Sequence, residues 1–268
     1  MKTIDDLKKK YNLKIEGNLN SAHTIVFAHG FGSDQTSWRK VTESFSDDFR
    51  IVLYDNIGGG NSDPASFSPL KYHSLNIYAL DLLEIMETLD LQGAILVAHS
   101  VSSMIGLLAC IQRPEIFSKM VFIGASPRYL NDEGYRGGFE QADLDALYES
   151  MTSNYYSWVS GFSSITMRNA GQPELGQEFA GTLSEIQPDI ALSVAKVIFS
   201  SDCRSELPKL RTEVLLLQSE DDFAVPDSVA DYLHSNLSKS RINKIKAEGH
   251  FAHISAPEQV VKAIQSFI

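Results

Sequence analysis

The stretch Ile95-Leu96-Val97-Ala98-His99-Ser100-Val101-Ser102-Ser103 limits the fold more than any other part of the chain. Ile95, Leu96 and Val97 do not alternate with polar residues, which predicts a strand buried on both faces, as in a parallel sheet covered by helices. From Ser102 onward, Met104, Leu107, Leu108 and Ile111 recur at helical spacing. The strand therefore turns sharply into a helix, with Ser100 at the tip. Such a turn strains the serine backbone and exposes its hydroxyl, and it closes only if the residues two before and two after are small. Ala98 and Ser102 meet that condition in place of the usual glycines.

Other stretches predict the same kind of sheet. Asn12 to Glu16 reads as a first strand, after an amphipathic helix over residues 2–11. Thr24-Ile25-Val26-Phe27-Ala28 is a buried strand running into the loop His29-Gly30-Phe31-Gly32, and Ile51-Val52-Leu53-Tyr54 is the next, ending at Asp55. Tyr72 to Leu89 carries a long helical pattern, and Met120-Val121-Phe122-Ile123 is a strand closed by Gly124 and Pro127. Alternating strands and helices imply an α/β fold with a mostly parallel sheet. The pattern breaks between Arg128 and Leu207, where helical stretches dominate: Ala142–Met151, Tyr155–Phe162, Glu178–Ile186 and Ile190–Phe199. It resumes with strands at Val214–Leu217 and Ile242–Ile245 and helices at Ser228–Leu237 and Pro257–Ile268. Residues 1–127 and 208–268 therefore form one core, and residues 128–207 are too long for a loop and read as a helical lid.

Composition removes several classes of function. The net charge of −11 leaves no basic surface for nucleic acid or anionic lipid. The one lysine cluster, Lys8-Lys9-Lys10, stands beside Asp5 and Asp6 and reads as a solvated helical face. The N-terminus is too charged for a signal peptide, and no apolar run approaches the roughly 18 residues of a membrane helix. Cys110 and Cys203 show no C-x-x-C spacing and read as reduced core thiols. The expectation is a cytoplasmic protein with no membrane attachment.

A serine hydroxyl becomes a nucleophile only when a base takes its proton, and a third group must hold that base. With Ser100 as nucleophile, the acid is sought in the loop after a late strand and the base near the C-terminus. Ser219-Glu220-Asp221-Asp222-Phe223-Ala224-Val225-Pro226 offers three carboxylates. Gly249-His250, between the last strand and the last helix, supplies the base. His253 lies three residues further on, but no third ligand at sensible spacing makes a metal site, and no metal is expected. His29 and His99 read as loop-orienting hydrogen bonders. A developing oxyanion needs backbone donors, for which Val101 N–H and Phe31 N–H are the candidates. Gly58-Gly59-Gly60 reads as a tight turn, since neither a dinucleotide fingerprint nor a Walker lysine accompanies it, and no cofactor is expected.

Assembled, these residues resemble the α/β-hydrolases, in particular the small members of the RsbQ type, a bacterial stress-response regulator, and the plant karrikin and strigolactone receptors. The resemblance is carried by Ala28-His29-Gly30-Phe31-Gly32-Ser33-Asp34-Gln35, by His99-Ser100-Val101-Ser102 with Arg113-Pro114-Glu115, and by Ser126-Pro127-Arg128-Tyr129-Leu130-Asn131-Asp132. Gly137-Gly138-Phe139-Glu140, Pro188-Asp189-Ile190-Ala191, Asp222-Phe223-Ala224-Val225-Pro226 and Gly249-His250 extend it from about Tyr11 to the C-terminus. Among the three carboxylates, Asp222 is preferred because it matches the D-x-x-V-P pattern of the hydrolases that the chain resembles, in which the acid stands three residues before the Val of Val225-Pro226, with Asp221 in reserve. It implies a V-shaped helical lid over an apolar pocket lined by Phe31, Tyr129, Phe139, Trp158, Phe162, Phe179 and Phe199. It also implies slow hydrolysis of a small, uncharged ester or lactone-like ligand. The resemblance further implies a signalling partner, which in the bacterial relatives is a phosphatase with a sensor domain. Two features depart from the family pattern: Ala98 at the elbow, and the charged segment Met1–Lys10.

Overall fold

The computed structural model describes residues 2–268. Helix α1 (Ile4–Tyr11) leads into β1 (Lys14–Gly17), β2 (Thr24–Ala28), α2 (Arg39–Thr42), β3 (Arg50–Tyr54) and α3 (Leu75–Thr88). β4 (Ala94–His99), α4 (Val101–Gln112) and β5 (Phe117–Ile123) follow. Four consecutive helices come next: α5 (Gln141–Ser153), α6 (Tyr155–Met167), α7 (Pro173–Glu185) and α8 (Pro188–Phe199). The chain closes with β6 (Glu213–Asp221), α9 (Asp227–Asn236), β7 (Ser240–Glu248), α10 (Ala252–Ser255) and α11 (Pro257–Gln265).

The seven strands form one sheet in the order β1-β3-β2-β4-β5-β6-β7. β1 runs antiparallel to β3, and every other pairing is parallel. All six residues of β4 are buried, because β2 and β5 flank the strand and helices cover both faces. Side chains alternate between two cores as strand geometry requires. Ile25, Phe27, Ile51, Leu53, Ile95, Val97, Val121 and Leu215 pack with Trp38, Val41, Val260 and Ile264 of the α2 and α11 side. Val26, Ala28, Val52, Leu96, Ala98, Met120 and Leu216 pack with α3, α4 and the four-helix insertion.

Helix α1 departs from the solvated face read in its sequence. Lys8 and Lys9 are exposed, but Lys10 Nζ reaches Asp81 Oδ1 at 3.1 Å and Glu84 Oε2 at 2.9 Å on α3. Beside it the buried Tyr11 hydroxyl donates to Asp81 Oδ1 at 2.7 Å. The N-terminal segment is therefore tied to the core by a partly buried polar cluster. Among the described residues, no helix is long and apolar enough to cross a membrane.

Candidate active site

Ser100 sits between β4 and α4 with φ 55° and ψ −126°, a region that side-chain-bearing residues rarely occupy. Its N–H donates to Ile123 C=O at 2.8 Å, which ties the tip to the neighbouring strand. The loop after β2 approaches from the other side. A Cβ on Gly30 would lie 2.5 Å from His99 Nδ1, so glycine alone permits that approach. Ser102 does more than stay small: its hydroxyl donates to His29 C=O at 2.5 Å. Asn56 Nδ2 donates to the same carbonyl at 3.0 Å and to Ser102 Oγ at 3.1 Å. Asn56 N–H donates to His29 Nε2 at 2.9 Å, which leaves the His29 proton on Nδ1, bonded to Gly30 C=O at 2.8 Å. The loop carrying Phe31 is thus fastened to the elbow by residues whose sequence signal is only that of small or turn-forming side chains.

Ser100, Asp222 and His250 come together. His250 Nε2 lies 2.8 Å from Ser100 Oγ, and its Nδ1 lies 2.8 Å and 3.0 Å from the two Asp222 oxygens. An ionised Asp222 only accepts, so the imidazole proton belongs on Nδ1 and Nε2 is free to accept from the serine. Asp222 Oδ1 is itself held by the N–H groups of Ala224 and Val225 at 2.8 and 3.1 Å. The geometry separates the two competing aspartates: Asp221 faces outward and pairs with Arg168 at 2.9 Å. Ser100 and His250 are 6% and 5% exposed, so the arrangement is nearly closed to solvent. Tyr129 Oη lies 3.2 Å from Ser100 Oγ. Burial pushes its phenol well above the usual range, so it stays neutral. No acceptor within the chain is found for the N–H of Phe31 or of Val101 among the described residues.

Behind His250 lie two more buried histidines. His99 Nε2 donates to His250 C=O at 3.0 Å, and its pKa falls well below normal because of burial and, secondarily, because His253 and His250 are close. His253 stacks on Trp38 with centroids 4.2 Å apart, and burial lowers its pKa to about 3. Neither His253 nitrogen has a hydrogen-bond partner. Asp222 and Ser100 occupy the two ring nitrogens of His250.

The expected lining aromatics fall into layers. Phe139, Trp158 and Phe162 line a groove of about 750 Å³ between α5 and α6, together with Leu147, Ile165 and Phe223. Phe199 lies deeper, 5.2 Å from the Tyr129 ring and 5.6 Å from that of Phe139. Phe179 packs on Phe251 at 4.4 Å. Phe31 and Val101 meet instead at a separate small cavity of about 30 Å³, walled by Ile105, Ile186, Val194 and Ile198. These aliphatic residues were not marked by the sequence, because their spacing is that of ordinary core helices.

The strand order, the serine elbow and the late Asp and His together define an enzyme-like α/β sheet protein of one family. The chain belongs to the α/β-hydrolase fold family, whose model matches residues 23–172. It is 43% identical to a karrikin insensitive 2 receptor of Petunia hybrida over 96% of this chain and 95% of that protein. It is 41% identical to a strigolactone esterase of Arabidopsis thaliana over 90% of each chain. Among solved structures, a hydrolase from Oleispira antarctica superposes with a TM-score of 0.95 at 34% identity, covering 99% of this chain and 97% of that one.

Proposed function

We propose that the protein is a serine hydrolase in which Ser100 is the nucleophile, His250 the general base and acid, and Asp222 the group that holds His250. The observation that carries this reading is the unbroken relay Ser100 Oγ, His250 Nε2, His250 Nδ1, Asp222 at 2.8 Å per step. As Ser100 Oγ bonds to the substrate carbonyl carbon, its proton moves to Nε2 and the imidazolium is stabilised by Asp222. The N–H groups of Phe31 and Val101 receive the oxyanion. Collapse of the intermediate expels the alkoxide oxygen, which takes the Nε2 proton and leaves an acyl group on Ser100. Water, deprotonated by His250, then releases the acid and restores the serine.

The substrate is a small, uncharged ester or lactone. The cavity beside the Phe31 and Val101 N–H groups is walled by Ile57, Leu75, Ile105, Ile186, Val194 and Ile198 and carries no Asp, Glu, Lys or Arg side chain. An anionic acyl group would be desolvated there without a partner, whereas apolar surface gains roughly 25 cal/mol per Å² on burial. The nearly closed site requires the helices of residues 128–207 to act as a lid and move before substrate enters, which favours slow turnover. Ser100→Ala tests the reading. Hydrolysis of p-nitrophenyl acetate should vanish with the near-UV spectrum unchanged, and wild-type rates in the purified variant would refute it.

The relatives named as receptors support a second reading, in which occupancy of the same site alters the lid and through it a protein partner. The resemblance to bacterial regulators of the RsbQ type makes a phosphatase the partner to test. Turnover of less than about one per minute, with ligand-dependent binding of the phosphatase, would favour signalling over metabolism.

A further inference from the structure

The turn joining α6 to α7 belongs to the helical insertion, yet its polar groups are directed at the two loops that carry His250 and Asp222. Thr166 C=O accepts the N–H of His250 itself at 2.9 Å. Asn169 Nδ2 donates to Glu248 C=O at 3.0 Å, and Asn169 N–H to the Glu248 carboxylate at 3.2 Å. Arg168 pairs with Asp221, the residue before Asp222, at 2.9 Å. Between these bonds Gly249, at φ 78°, donates its N–H to Asp221 C=O at 2.8 Å. A Cβ on Gly249 would lie 2.2 Å from Met167 C=O, so the turn presses directly on the base-bearing loop.

The turn also holds an unfavourable backbone. Arg168 and Asn169 both have φ 51°, the only adjacent pair of non-glycine residues at positive φ among the described residues. The φ and ψ of Arg168, 51° and −122°, nearly repeat those of Ser100. Such conformations persist only where the surroundings over-determine them, and here the surroundings are the acid and base loops.

We propose that Arg168 and Asn169 are positioning residues, and that the α6–α7 turn is a latch through which the insertion sets the His250–Asp222 pair. The inference rests on the serine-hydrolase reading. Arg168 contributes the smaller share, because its ion pair is solvent-exposed. Asn169 contributes the larger, because its side chain fixes the carbonyl two residues before His250. Lifting the insertion off the core would break these bonds together, so the site is complete only when the turn is seated.

Asn169→Gly tests this, since glycine keeps the left-handed backbone and deletes only the side-chain bonds. Its kcat on p-nitrophenyl acetate should fall about 10- to 100-fold, the scale of a misplaced catalytic group, with KM within about twofold. The far-downfield proton resonance of His250 Nδ1–H bonded to Asp222 should broaden or vanish, while Lys14→Gln, exposed on β1 at the opposite edge of the sheet, keeps both rate and resonance. Asn169→Asp, which tolerates the same backbone but cannot donate to Glu248 C=O, gives the same result and decides the matter should the glycine variant not fold. Unchanged kcat with an intact resonance would overturn the latch, as would a rise in KM at constant kcat, which would mean the turn shapes the pocket only. If the wild type shows no Ser100-dependent turnover, the hydrolase reading fails, and the resonance in wild type and variant still judges the latch on its own.

Discussion

Replacing one of two adjacent aspartates by asparagine separates the relay from its surroundings. Asp222 presents two acceptor oxygens to His250 Nδ1 at 2.8 and 3.0 Å while accepting two backbone N–H groups on Oδ1. In Asp222→Asn the backbone donors retain the carbonyl oxygen, so the amide NH₂ takes the remaining position, facing Nδ1. It donates there, the imidazole proton shifts to Nε2, and Nε2 no longer accepts from Ser100. The tautomer is wrong in the resting state and the imidazolium loses its counter-charge. By analogy with the serine-protease triad the cost is about 10⁴ in kcat, or about 5 kcal/mol of transition-state stabilisation. Asp221→Asn weakens only a half-exposed ion pair with Arg168, worth about 0–1 kcal/mol, and should change the rate by less than about fivefold. Steady-state hydrolysis of p-nitrophenyl acetate at pH 8, with both variants shown to be folded, reads the contrast. A larger loss at Asp221, or a loss below about tenfold at Asp222, would refute the argument from tautomer and charge.

Other positions give independent checks. Ser102→Ala removes the bond to His29 C=O and should lower kcat about three- to tenfold with little change in KM, measured on the same ester. His253 is buried with its pKa lowered from 6.5 to about 3, so the unfolded chain takes up a proton that the folded one refuses as pH falls below 6.5. Stability is therefore lost towards acid, and urea unfolding of His253→Leu should recover about 2 kcal/mol more at pH 5 than at pH 7, a difference in which packing changes cancel. Rates across an acyl series should fall from acetyl to octanoyl, since the cavity beside Phe31 and Val101 holds about 30 Å³, and anionic esters should be slower than neutral ones of equal size.

Much of the site was legible because its signals are local. An unbroken apolar run ending at Ser100, and a glycine before His250, are short-range patterns set by strand burial and by turn geometry. Choosing Asp222 over Asp221 rested on the resemblance to the hydrolase pattern D-x-x-V-P, and the structure directs the two side chains to different partners. Features that depend on distant partners were not legible. Lys10 looks like a surface lysine until α3 brings Asp81 and Glu84 to it. Ser102 and Asn56 have no sequence signature for fastening the Phe31 loop, because their partners are backbone atoms of His29. The start of α7 at Pro173 rather than Glu178 was readable, since proline is favoured at the first helical turn. Extension of α6 past Phe162 to Met167 was not, because Ser163 and Thr166 are polar residues that the fold nevertheless buries.

The central claim is that Ser100 attacks a carbonyl and carries the acyl group. Brief mixing with a slowly deacylated ester, followed by acid quench and intact-mass and peptide-mass measurement, tests it directly. The account predicts a mass increase equal to the acyl group, confined to the peptide that contains Ser100, absent in Ser100→Ala and accumulating in Asp222→Asn only at a much reduced rate. Hydrolysis without any adduct on that peptide, or an adduct on another side chain, would contradict it.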